Sequence, residues 1–232
     1  GIKKTKKVLD MVPLLESFPL NPNQIGYLSL AEQKFLGFNC QKICQKTLSD
    51  KQLQINTDCL LHKGMEKSEN QSFLAVLADI FYYKNHTKFF EKSIKPNNSI
   101  QFTIKQIKQE IINHLTIDTF VSLQNGNLIE LFYKKDFVGD EMVYATYKKS
   151  ILYNTIEKDM RDEQFQAYFD KVVSAFENFK LFILNPNSKI DYEYLWDFIT
   201  LPRTKTGGGL FKGGLNIILI KSPQDDITNK IE

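Results

Sequence analysis

"SENQSFLAVLADIFYYKN", residues 68–85, decides how this chain folds. Ser68 or Asn70 can cap a helix here, because a short side-chain oxygen accepts from a free N–H of the first turn. At helical spacing Phe73, Val76, Leu77, Ile80 and Phe81 share one face, and Leu74, Ala75 and Ala78 cover most of the other. Asp79 is the only charge before Lys84. A helix apolar nearly all round is expected inside a core.

Downstream, "TIKQIKQEIINHL" (103–115) is amphipathic, with Ile104, Ile107, Ile111 and Leu115 inward and Lys105, Lys108, Gln109 and Asn113 on a surface face. "TIDTFVSLQNGNLIELFYKK" (116–135) gives a helix, a turn at Asn125–Gly126 and an apolar segment. "DEQFQAYFDKVVSAFENFKLFIL" (162–184) is a long helix with Phe165, Phe169, Val172, Val173 and Phe176 in register. "DYEYLWDFITL" (191–201) is a shorter helix capped by Asp191, with the sole Trp196 facing inward. "LNIILI" (215–220) reads as a buried strand.

Upstream, Pro13, Pro19 and Pro22 mark an extended arm, with Gly26 in a turn. "LAEQKFLGF" (30–38) predicts a helix capped by Ser29, and "CQKICQKTL" (40–48) a second short one. "KQLQINTDCLLHKG" (51–64) alternates at Leu53, Ile55 and Thr57, as a strand or extended segment does. The expected fold is α+β: a single, mostly helical domain over 29–232 with a small sheet and a buried central helix. It follows a basic, proline-containing arm over 1–28. Gly1 in place of Met and the strand-like ending "DDITNKIE" lead us to expect a piece of a longer protein.

Apolar residues at 42% and charged residues at 25% are ordinary for a globular chain of 232 residues. A net charge of +3 is far from that of a dedicated nucleic-acid binder. Lys3, Lys4, Lys6 and Lys7 crowd the N-terminus as a solvated tail, with polyanion contact the second reading. No apolar run approaches the ~20 residues that span a bilayer, and the N-terminus lacks the apolar core of a signal peptide. No membrane association is expected.

Cys40, Cys44, Cys59 and His62 are spaced superficially like a zinc site. Cys40 and Cys44 fall in an expected helix and Cys59 in an apolar stretch, so neither metal nor cofactor is expected and the thiols read as reduced. His114 belongs to an amphipathic helix, and His86 can serve the C-terminal dipole of the central one. The acid pairs Asp140–Glu141, Asp162–Glu163 and Asp225–Asp226 read as solvated charge.

"TGGGLFKGG" (206–214) invites a phosphate-loop reading. A phosphate loop follows a strand and opens a helix, whose free N–H groups face the phosphate. Here the glycines trail a helix, and Lys212 has no helix behind it. The run reads as a flexible connection, or as a basic flap carrying Arg203, Lys205 and Lys212 that could contact a partner or nucleic-acid phosphates.

The loop "HKGMEKSEN", then Gln71 and Ser72 opening the buried helix, then "TIKQIKQEIINHL", resembles the order in ovarian-tumour-type (OTU) cysteine proteases of papain-like fold. The helix 191–199, the glycines 207–209 and "NIILI" continue the similarity. In that family the nucleophilic cysteine opens the central helix, where the dipole favours a thiolate. Ser72 stands at that position, and the family's histidine would lie beyond the chain's last residue. The resemblance therefore implies a non-catalytic relative that binds protein or nucleic acid. Its alternative is a deubiquitinase-type hydrolase with Ser72 as nucleophile and His62 as base. "IGYLSLAEQKFL", "NQSFL" and "GLNIILI…DDITN" are also similar to segments of large-DNA-virus proteins, among them the poxvirus-type early transcription factor large subunit. That similarity implies a larger viral protein acting in transcription, in the host cytoplasm or virion, with a protein partner and weak, sequence-indifferent nucleic-acid contact.

Overall fold

The computed structural model describes residues 20–22, 25–28, 30–38, 60–86, 103–137, 139, 141–159, 163–205 and 207–219. They fall into two compact units: the described residues of 20–68, 82–86 and 218–219, and those of 69–81 and 103–217. The expected helix over 40–48, Cys40, Cys44, Cys59 and the four N-terminal lysines lie outside the described residues.

In the first unit, β1 (Ile25–Tyr27) pairs antiparallel with β2 (Leu61–Lys63), Gly26 opposite His62. Gly26 is thus inside a strand, not in the expected turn: its neighbours Ile25 and Tyr27 favour an extended backbone that a partner strand can satisfy. Helix α1 (Leu30–Phe35) ends as helices do at a left-handed glycine, Gly37 with φ +82°. Phe38 N–H reaches Gln33 O at 2.9 Å and Gly37 N–H reaches Lys34 O at 3.0 Å, which satisfies carbonyls the helix leaves open. The buried Gln33 side chain donates to Leu28 O at 2.8 Å and accepts from Leu60 N at 3.1 Å, tying α1 to both strands' ends.

The central helix α2 runs Ser72–His86, but its buried stripe is not the expected one. Leu74, Ala75, Leu77, Ala78 and Phe81 are buried, whereas Val76 is 39% exposed and Phe73 and Ile80 are half-buried. The helix is not apolar-buried all round.

α3 (Ile104–His114) begins with a capping box in which Thr103 and Gln106 satisfy each other's backbone N–H. Its inward face holds Ile104, Ile107 and Ile111 as expected, but also Lys108. α4 (Ile117–Phe120) leads into a 3-10 turn, Leu123–Gly126, where Gln124 and Asn125 take positive φ. That turn is held to the helix beyond it: Gln124 N–H donates to Asp197 Oδ2 at 2.7 Å. α5 (Asn127–Phe132), α6 (Glu141–Tyr147) and α7 (Ile151–Asp159) follow.

α8 (Glu163–Leu184) is the axis of the second unit. Phe169, Val172, Val173, Phe176, Phe179 and Ile183 are buried along it. Phe120 meets Phe176 and Phe179 with ring centroids at 5.3 and 5.4 Å, and Phe132 meets Phe179 edge-on at 4.9 Å. Tilted and edge-on rings suit the aromatic quadrupole. α9 (Tyr192–Thr200) is capped by Asp191, whose side chain accepts from Glu193 N–H. Leu195, Phe198 and Ile199 face the core, and Trp196 is half-buried, edge-on to Tyr192. The short strands β3 (Arg203–Thr204) and β4 (Gly207–Gly208) form a second antiparallel pair.

"LNIIL" corrects the expectation of a buried strand. Residues 214–219 form none, and Ile218 is 73% exposed. Leu210 and Phe211, a few residues earlier, are buried instead. The architecture is a mostly helical α+β chain with two-stranded antiparallel sheets.

Candidate functional site

Two features carry the residues singled out in the sequence: the glycine turn after α9 and the start of α2.

The glycine turn is a helix cap. A helix leaves its last carbonyls without intrahelical partners. Here Leu201 N–H satisfies Asp197 O at 2.9 Å, Leu210 N–H satisfies Phe198 O at 2.8 Å and Leu215 N–H satisfies Ile199 O at 2.9 Å. The turn closes on itself through Gly209 N–H to Pro202 O at 3.2 Å and Arg203 N–H to Phe211 O at 2.9 Å. It also docks on α4, because Gly208 N–H donates to Thr119 Oγ1 at 2.9 Å. These N–H groups are what a phosphate cradle would need, and they are already spent on carbonyl and hydroxyl oxygens.

Glycine is required by closeness. A Cβ on Gly209 would stand 1.9 Å from Leu201 O, and one on Gly214 2.1 Å from Thr200 O. Residues 207–214 therefore form a turn held by backbone hydrogen bonds, where composition predicts a flexible connection.

The three cations of this turn divide. Arg203 folds back, its Nη2 donating to Leu210 O, while its buried Nε finds no hydrogen-bond partner among the described residues. Lys205 and Lys212 are exposed.

At the start of α2, Ser72 is the first helical residue and is exposed. Gln71, just before it, is buried, and its Nε2 lies 3.0, 3.0 and 2.9 Å from the carbonyl oxygens of Asn185, Pro186 and Ser188. Asn70 O accepts from Ile190 N–H at 2.9 Å, a second tie to the same turn. Lys108, 5% exposed, donates to Asn185 O at 2.9 Å, and burial holds its ammonium below the usual lysine range. The start of α2 is thus a junction of α2, α3 and the turn after α8.

His62 lies in β2, opposite Gly26, in the other unit from Ser72. His86 is the last residue of α2. His114 closes α3, its Nδ1 2.8 Å from Glu110 O and 3.5 Å from the Glu110 carboxylate. No cluster of three or more metal-ligating side chains occurs among the described residues, and no helix among them is long and apolar enough to cross a membrane.

Sequence reading missed Gln71 and Lys108. For Lys108 a signal existed: it lies four residues after Ile104 and three before Ile111, inside the apolar stripe. Comparison with family models, curated proteins and solved structures finds no match to this chain.

Proposed function

We propose that this chain is a non-catalytic binding module of a larger viral protein, with the glycine turn as its contact surface and an acidic protein segment as its partner. The observation that carries this reading is the pairing of a pinned backbone with outward cations. Lys205 and Lys212 are exposed on a turn whose backbone is fixed to α9 and α4. A preformed backbone loses little conformational entropy on association, which leaves only the lysine side chains to be ordered. Leu201, the residue after α9, is 42% exposed and adds apolar area. Nucleic-acid phosphates would meet the same two lysines, weakly and without sequence preference, since two cations release few counterions. The papain-like topology belongs to this proposal and rests on the order of α2, amphipathic α3, α9 and the glycines. Action in viral transcription, in the host cytoplasm or virion, rests on the resemblance alone.

The test is binding of fluorescein-labelled polyglutamate and of labelled duplex DNA, followed by anisotropy. Saturable polyglutamate binding lost in Lys205→Glu/Lys212→Glu, with at most micromolar, salt-sensitive DNA binding, is the expected result. A DNA complex that is sequence-specific and survives moderate salt would replace the protein partner.

A second reading, a hydrolase, rests on one observation: Ser72 is exposed at the N-terminus of a 15-residue helix. A serine needs a base to be activated. Covalent labelling by a fluorophosphonate probe, abolished in Ser72→Ala, would establish it. On the binding reading Ser72→Ala leaves polyglutamate binding intact and no labelling occurs.

A further inference from the structure

A cleft of about 360 Å³ opens where α6 and the residues after it face α3, α4 and α8. Its size falls at the lower end of small-molecule sites. Ile112, Leu115, Ile117 and Phe176 supply an apolar lining. Thr146, Lys149, Ser150 and Lys180 supply polar groups, and Asp118 a carboxylate.

Of the charges in this lining, those of Asp118 and Lys180 are met by neighbouring groups and that of Lys149 faces solvent. Both Asp118 oxygens accept from the first N–H groups of α7, Ile151 at 3.2 Å and Leu152 at 2.8 Å. A carboxylate at the positive end of a helix has its charge answered there. Lys180 pairs with Glu177 at 2.6 Å and donates to the Tyr147 hydroxyl at 2.9 Å. An ammonium has three N–H groups, so these two partners leave one of them. Its Nζ also lies 5.1 Å from the Phe176 ring centroid and 5.6 Å from that of Tyr147, which fixes its direction. Tyr147 donates to Glu177 and stays a neutral phenol: burial raises its pKa, and the bond to Glu177 raises it further. Lys149 is exposed.

We infer that this cleft binds a small amphiphilic anion, its apolar body against Ile112, Leu115, Ile117 and Phe176 and its anionic head between Lys149 and Lys180. Tyr147 and Glu177 are positioning residues that hold Lys180 in place. The site is separate from the glycine turn and stands whether or not that turn binds an acidic partner.

The test uses 1-anilinonaphthalene-8-sulfonate as the anion and the uncharged N-phenyl-1-naphthylamine as its match, titrated by fluorescence into the intact chain. One saturable sulfonate site per chain is expected. Lys149→Glu, an exposed change that leaves the fold alone, weakens it roughly tenfold, the size of one charge-assisted contact. Lys180→Met weakens it by a similar factor, and Lys205→Glu/Lys212→Glu leaves it unchanged. Near-ultraviolet circular dichroism of each variant, matching the parent, separates lost binding from lost packing. Absence of a saturable site, equal affinity for the uncharged match, or an affinity unmoved by Lys149→Glu and Lys180→Met together would each overturn the inference.

Discussion

Gln71 and Lys108 converge on a single carbonyl oxygen, that of Asn185, at 3.0 and 2.9 Å. One side chain precedes α2 and the other belongs to α3, and 114 and 77 residues separate them from the atom they share. Gln71 also reaches Pro186 O and Ser188 O, so three carbonyls of one turn point at one amide. Carbonyls that converge this way repel each other unless donors sit among them, and Gln71 and Lys108 supply those donors.

Gln71→Ala removes the donor from Pro186 O and Ser188 O, while Asn185 O keeps Lys108, and should cost about 0.5–1.5 kcal/mol. Gln71→Glu is the sharper change, because it keeps the volume and replaces a donor with a charge facing three oxygens. It should still destabilise the chain at neutral pH, although the Lys108 ammonium that shares Asn185 O offsets part of the repulsion. Urea unfolding of both variants checks this; an unchanged midpoint for Gln71→Glu would show that the amide is not what holds the turn.

Lys108 contributes with the opposite sign. Burial lowers its folded pKa below the unfolded value of 10.5, so between the two the unfolded chain binds more protons and stability rises with pH. Below the folded pKa the full penalty of keeping a buried charge is present. Lys108→Met removes both the penalty and the bond to Asn185. Relative to the parent, the variant should be most favourable near pH 7 and lose ground as pH climbs toward 10.5. Unfolding curves at several alkaline pH values, taken for both proteins, measure the difference; a constant gap would show that Lys108 titrates as it does in the unfolded chain.

These residues also mark what the sequence could and could not convey. The long period of α8, the Asp191 cap of α9 and the Asn125–Gly126 turn are local signals, and each is found where the pattern puts it. The capping box of α3 was written in "TIKQ" as well. Residue type puts Lys108 on the surface, although its position lies within the apolar stripe. "LNIIL" reads as a strand by β-propensity, which takes effect only when a partner strand exists. The role of the glycines depended on where the carbonyls of Phe198 and Ile199 end up, which composition does not encode. The Tyr147–Glu177–Lys180 cluster joins residues of α6 and α8 across 30 positions, and only the Glu177–Lys180 spacing was local.

Asp118 caps a helix to which it does not belong. Its carboxylate serves the N-terminus of α7 from within α4, so its removal should loosen two elements at once. Asp118→Ala should cost about 0.5–2 kcal/mol, and Asp118→Asn less, because an amide oxygen still caps. Amide exchange at Ile151 and Leu152 reads this directly: protection should fall in the alanine variant and largely persist in the asparagine one. Equal protection in both would locate the cap elsewhere.

The glycine turn offers the cleanest contrast, because two of its glycines are alike in sequence and opposite in surroundings. A methyl group on Gly209 would lie 1.9 Å from Leu201 O and 2.7 Å from Phe198 O, both backbone atoms that cannot swing aside. Making room means moving the turn away from α9, which breaks the bonds from Leu210 and Leu215 to Phe198 and Ile199. Gly209→Ala should therefore cost roughly 2–4 kcal/mol, from overpacking and lost backbone bonds together. Gly213 has nothing within 4 Å of where its Cβ would stand. Gly213→Ala should shift stability by less than about 1 kcal/mol, with loss of unfolded-state freedom favouring the folded chain. If the turn were a loose connection, both alanines would be tolerated alike. Thermal unfolding of the pair decides it, and a Gly209→Ala protein as stable as Gly213→Ala would end the account of the turn as a cap.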